Sequence, residues 1–147
     1  MKHAKKIEKI KKVKKIKKLK PIKPIKGKPL LDKNKITSSK IEKIFGVFLK
    51  RLGIEIEEQF QIGYKFYDFK VKGKNILIEF DGDFYHCNPE VFKEGPETKM
   101  QALNIKNDLY KEKLAKANGY KLLRIWESDF KKKPKEVEKY ILKECNE

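Results

Sequence analysis

Residues 64–86, YKFYDFKVKGKNILIEFDGDFYH, constrain the fold more than any other part of this chain. Phe66, Asp68 and Lys70 alternate with Tyr67, Phe69 and Val71, and Ile76, Ile78 and Phe80 alternate with Leu77, Glu79 and Asp81. A period of two predicts two strands. Lys72-Gly73-Lys74-Asn75 between them is turn chemistry, because glycine takes a positive φ at no steric cost. An antiparallel hairpin then carries Asp68 toward the end of the second strand, where Glu79 and Asp81 share a face and His86 follows in a loop. Three carboxylates and an imidazole at a strand end suit a divalent metal and a proton-transfer group. The plainer reading, a solvated hairpin with surface acids, explains any one of these residues but not all four.

Charge divides the chain. The 147 residues carry a formal net charge of +17, and residues 1–35 hold sixteen lysines against only Glu8 and Asp32. In that segment Ile7, Ile10, Val13, Ile16, Leu19, Ile22 and Ile25 recur every third residue. This spacing drifts around a helix that turns every ~3.6 residues, so it builds no lasting apolar stripe. Pro21, Pro24 and Pro29 oppose a helix as well. Residues 1–35 are therefore expected to be a basic flexible arm suited to a polyanion. Residues 36–147 are nearly charge-balanced and long enough for one modest domain. A compositional extension and a lipid-surface segment are the other readings of the arm. Cys87 and Cys145 make no disulfide framework and are too few for a usual zinc site. The sequence holds no apolar run near the ~18 residues of a membrane span and no apolar core of a secretory signal, so an intracellular protein is expected.

The rest reads as α/β. Ile41, Ile44, Phe45, Phe48, Leu49 and Leu52 predict an amphipathic helix, opened by a Ser39-x-x-Glu42 capping box and closed by Gly53. Ile54–Phe60 is expected to be a strand. A punctuated loop follows His86, then a helix over roughly 97–118 with Met100, Leu103, Tyr110 and Leu114 on its apolar side. Asn104, Asp108 and Lys111 share a stripe of that helix. Tyr120–Trp126 is expected to be a strand with Trp126 in the core, and a last helix follows Pro134. The expected order is α-β-β-β-α-β-α, a mixed sheet flanked by helices.

Phosphodiester cleavage needs a cation to polarise the phosphate, an activated water and a group that moves a proton. Asp68 with Glu79 or Asp81 fits Mg²⁺, since hard cations prefer oxygen ligands. His86 fits the proton-transfer role because its unperturbed pKa of ~6.5 lies near working pH. The capping box alone accounts for Glu42. Asp108 with Lys111 reads as a helix-surface pair or as a wall of the site, and Asn104 as a ligand contact or a solvated side chain. Phe84 and Tyr85 either pack or stack on bases. Cys87, beside His86, lacks the partners of a metal ligand.

Asp68, then IEFDGDFYH, then NIKNDLYKEKLAKANGYKLLRIWE resemble the very-short-patch repair (Vsr-like) endonucleases and the EDxHD homing endonucleases of the PD-(D/E)XK nuclease superfamily. The similarity spans about residues 38–130. It implies a metal-binding Asp68, a second half of the metal site at Glu79-Phe80-Asp81, an acid–base His86, a first-helix Glu42, and Asn104 and Asp108 near the reaction. In the repair enzymes the backbone carbonyl at the Phe80 position joins the metal shell. Asp81 stands where the superfamily has lysine and the repair enzymes have histidine. Asp83 stands where the repair enzymes ligate a structural zinc, so none is expected here.

The resulting expectation is a Mg²⁺-dependent DNA endonuclease, with Mn²⁺ able to substitute, acting as a monomer or weak homodimer. A homing-type or mobile-element enzyme is preferred to a mismatch-repair enzyme. A non-catalytic DNA-binding protein on a degenerate nuclease fold is the alternative.

Overall fold

The computed structural model describes residues 39–147, and the expected basic arm lies outside the described residues. The chain runs α1 (Lys40–Arg51), β1 (Ile56–Ile62), β2 (Lys65–Val71), β3 (Ile76–Asp81), α2 (Lys99–Ala117), β4 (Lys121–Trp126), α3 (Glu127–Lys132) and α4 (Pro134–Asn146). This is the expected α/β order with one addition, the six-residue α3. The strands form one mixed sheet in the order β1-β2-β3-β4, with β3 and β4 parallel and the other pairs antiparallel. α2 makes the crossover that a parallel pair requires.

β3 is buried along its whole length and separates two apolar clusters. Ile76, Ile78 and Phe80 point to the first, with Phe69, Val71, Leu123 and Ile125. α1 and α4 cover that face through Phe45, Leu49, Val137 and Ile141, with Phe130 of α3 packed alongside. Leu77 points to the second cluster, with Ile62, Tyr67 and the α2 residues Leu114 and Ala115. Phe45 is fully buried, its ring 4.7 Å from Phe80 and 5.1 Å from Phe130. Burying a side chain of this size contributes roughly 1.5–3 kcal/mol. α1 lies so close to the sheet that a Cβ on Gly46 would come within 3.0 Å of the Phe69 ring.

Local chemistry sets the element ends. Ser39 Oγ accepts from Glu42 N at 3.2 Å and caps α1, and Gly73 takes φ 74° in the β2–β3 turn. Thr98 and Gln101 make a reciprocal capping box at the start of α2. That Thr-x-x-Gln signature stands plainly in the sequence and places the helix start two residues later than expected.

Three expectations need correction. The Ser39–Glu42 box is only half made, because the Glu42 carboxylate accepts from Gln59 Nε2 at 2.9 Å instead. Trp126 is part-buried and belongs to neither cluster. In α2, Met100, Leu103 and Tyr110 are exposed, whereas Gln101, Lys111, Leu114 and Ala115 are buried. This helix turns much of its polar side inward, and the reason lies in the charges on the sheet beneath it.

Gln59 is the irregular point of the sheet, with φ 52°. Glu58 pairs with Phe69 and Phe60 with Tyr67, which leaves Gln59 and Asp68 facing the gap between. Phe69 packs in the first cluster and Tyr67 in the second, so strand alternation breaks at Asp68. A non-glycine residue held in the left-handed region costs of order 1–3 kcal/mol, and such strain concentrates at functional sites.

Candidate active site

Asp68 lies at this break. Its Oδ2 accepts from Phe80 N at 2.8 Å, bridging β2 to β3 just beyond their last paired residues, Phe69 with Ile78. Continuing that register sets Asp68 opposite Glu79. Burial and the negative charges of Glu79 and Glu42 push the Asp68 pKa well above the usual carboxylate range, against the Phe80 amide and Lys111. Glu79 is buried and ion-paired with Lys111 of α2. Burial raises its pKa too, while Lys111 and Arg124 pull the other way. Lys111 Nζ also lies 4.8 Å from the centre of the Tyr67 ring, and the Tyr67 hydroxyl donates to Lys111 O at 2.7 Å. Burial and the nearby Glu79 keep the Tyr67 hydroxyl protonated.

Two residues along β3, Asp81 is 1 % exposed. Both its oxygens accept from Arg124 Nη1, at 3.0 and 2.8 Å. Arg124 stands beside Glu79 in the parallel β3–β4 register. Its Nη2 donates to Asp108 O at 3.2 Å and its Nε to Glu112 Oε1 at 3.1 Å, tying the sheet to α2. Burial opposes its charge, but Asp81 and Asp108 outweigh that and hold it protonated.

His86 completes the cluster. Its Nδ1 lies 2.8 Å from Asp108 Oδ2 and 3.7 Å from Asp81 Oδ1. Burial lowers the imidazole pKa, yet the bond to Asp108 and the charge of Asp81 raise it more, so the net shift is upward. The loop that carries His86 is pinned on several sides. Gln101 Nε2 donates to Phe84 O at 2.8 Å, and Asn104 Nδ2 to Tyr85 O at 2.7 Å. Asp83 accepts from Asn88 Nδ2 at 2.5 Å, Ser128 Oγ at 2.7 Å and Ser128 N at 3.1 Å, clasping the loop to the start of α3.

The sequence-predicted residues, joined by Arg124, thus fall into one network with two halves. Glu42, Asp68, Glu79 and Lys111 form the first, and Asp81, His86, Asp108 and Arg124 the second. Asn104 holds the His86 loop by its backbone. Asp108 and Lys111 go to separate partners, His86 and Glu79. Among the described residues, no group of three or more His, Cys, Asp and Glu side chains is gathered to hold a metal ion.

The chain matches no protein-family model and no curated protein.

Phe84 and Tyr85 are 48 % and 60 % exposed, with their rings edge to face at 5.6 Å. Cys87 is buried and not in a disulfide, at φ 53° directly after His86. Among the described residues no helix is long and apolar enough to cross a membrane. Arg124 and Gln59 were not anticipated as site residues. The signal for Arg124 was its charge at a strand position flanked by Leu122, Leu123, Ile125 and Trp126, since buried charges are rare unless paired. No residue pattern marks Gln59 as left-handed.

Proposed function

We propose that this chain is a metal-dependent DNA endonuclease of the PD-(D/E)XK kind, hydrolysing phosphodiester bonds. The observation that carries the reading is the juxtaposition of two unlike halves. Asp68 and Glu79 form an acidic pair whose ionisation is penalised by burial, Asp68's further by the Glu79 charge beside it, and a histidine–aspartate dyad joins the loop beyond β3 to α2.

The acidic pair fits a hard divalent cation. Its donors are carboxylate oxygens, and a positive charge there would relieve the burial and repulsion that raise both pKa values. Asp68 and Glu79 would hold Mg²⁺ or Mn²⁺, which when bound would polarise a phosphate oxygen. Asp81, already taken by Arg124, serves the dyad rather than the cation.

Asp108 accepts from His86 Nδ1–H and so directs Nε2 outward as the atom that takes or gives a proton. Its carboxylate also stabilises the imidazolium. Asn104, Gln101 and Asp83 fix the loop so that the ring keeps this orientation. The basic arm supplies salt-dependent affinity for the duplex and little sequence information, because phosphate contacts position and base contacts specify. The resemblance to EDxHD enzymes favours a homing-type or mobile-element nuclease over a mismatch-repair enzyme.

One observation favours a second reading, a DNA-binding protein without catalysis. Glu79 and Asp81 are already neutralised by Lys111 and Arg124. Incubation with supercoiled plasmid and Mg²⁺ or Mn²⁺, with and without chelator, decides between them. Nicked or linear product that chelator prevents is the expected result; retarded but intact plasmid under every condition supports the binder.

A further inference from the structure

Arg124 is the most connected side chain of the site, and two of its three partners, Asp81 and Asp108, are the carboxylates that face His86. It approaches from β4. Asp81, with both oxygens on Nη1, and Asp108, with its backbone carbonyl on Nη2, are the two carboxylates on either side of His86 Nδ1. Glu112, one turn beyond Asp108 on α2, takes Nε. We propose that Arg124 is the positioning residue of the dyad: its guanidinium fork fixes Asp81 and Asp108 so that the His86 ring is held in one orientation with Nδ1 toward Asp108.

The chemistry favours a fork over a point charge. A guanidinium presents planar donors at fixed angles, so one side chain can hold a carboxylate and a backbone carbonyl together. A lysine ammonium in the same place would balance charge without setting both angles. Without Arg124, Asp81 would be a buried carboxylate with only the imidazole to turn to. His86 would then share itself between Asp81 and Asp108, and the outward nitrogen would no longer be unique. An arginine that merely glued α2 to β4 could lose its fork without disturbing the ring.

The catalytic consequence rests on the nuclease reading; the geometric one does not, and the test keeps them apart. Full-length protein in an H3Q background has His86 as its sole histidine. Nitrogen-15 correlation spectra of the neutral imidazole at alkaline pH report which ring nitrogen carries the proton. The parent is expected to show the Nδ1–H form alone, and R124Q a mixture of both tautomers. R124K keeps the charge and therefore the fold, and is expected to show a partial mixture. In plasmid cleavage R124Q is expected to lose roughly 10- to 100-fold in kcat with KM for DNA little changed, the scale seen when groups that orient a reacting residue are removed. R124K is expected to fall between parent and R124Q. A folded R124K or R124Q with the parent's tautomer overturns the proposal, as does parental kcat in either. A parent that never cleaves DNA, with the tautomer still shifted in R124Q, sinks the nuclease reading and leaves Arg124 as the residue that orients His86.

Discussion

Asp108 Oδ2 and His86 Nδ1 lie 2.8 Å apart although 22 residues separate them in the chain. This bond converts a loop histidine into an oriented one. H86A should remove cleavage by a factor of about 10² to 10⁴, the usual worth of a positioned acid–base group. Retention of plasmid in gel-shift assays should change little. D108N should fall between, because an amide holds the ring without stabilising its charged form. Equal losses of binding and cleavage in H86A would assign His86 to DNA affinity.

The same bond predicts a pH dependence. His86 has a folded-state pKa above its ordinary 6.5. Its contribution to stability is therefore complete below about pH 6.5 and is lost as pH rises through the folded value. The parent's melting temperature should exceed that of H86Q most in mild acid, with the gap closing toward alkaline pH. A gap that widens with pH would contradict the assigned direction.

Asp68 carries the opposite balance. Its raised pKa means that the folded state disfavours its charge, so metal-free D68N should be more stable than the parent above the folded pKa. The gain is expected to show as a higher melting temperature near neutral pH and to vanish in acid. Mg²⁺ should stabilise the parent, by about 2.7 kcal/mol at a hundredfold excess over the dissociation constant, but not D68N. Thermal melts with Mg²⁺ and with chelator check both statements.

Lys111 and Glu79 should behave as a coupled buried pair. Removing one partner leaves an uncompensated charge, so K111M should cost about 3–5 kcal/mol, while the double variant K111M/E79M should recover much of it. Urea titrations of the four proteins give the coupling energy. Additive effects would mean that the ion pair is not held in solution.

The hairpin, its turn and the two long helices were legible because each rests on local signals: a period of two through Phe66–Val71, a Gly73 turn, a helical stripe through Phe45 and Leu49. Much of the site was legible for a related reason. Asp68, Glu79 and Asp81 lie on strands that a tight turn must bring together, and one stripe of α2 carries Asn104, Asp108 and Lys111. For Arg124 the strand YKLLRIW gave only half the answer: a charge among apolar neighbours marks a need for a buried partner, but that partner, Asp81, is 43 residues away and nothing local names it. α2 misled for the complementary reason. Its apolar residues Met100 and Leu103 suggested a buried side, yet the charges of Glu79 and Arg124 draw its polar residues inward. Glu42 had a sufficient local explanation in the cap, and the competing partner Gln59 depends on a backbone conformation that no residue pattern announces. α3 has no side-chain cap and only six residues, too short to mark itself.

The central claim is that Asp68 and Glu79 hold a catalytic divalent cation beside His86. Its most direct measurement is the nicking rate of supercoiled plasmid as Mg²⁺ is titrated into parent, D68A and H86A. The account predicts a saturable, chelator-reversible rate for the parent and essentially none for either variant, with DNA binding preserved in all three. Cleavage by D68A at the parent's rate and Mg²⁺ midpoint would contradict it.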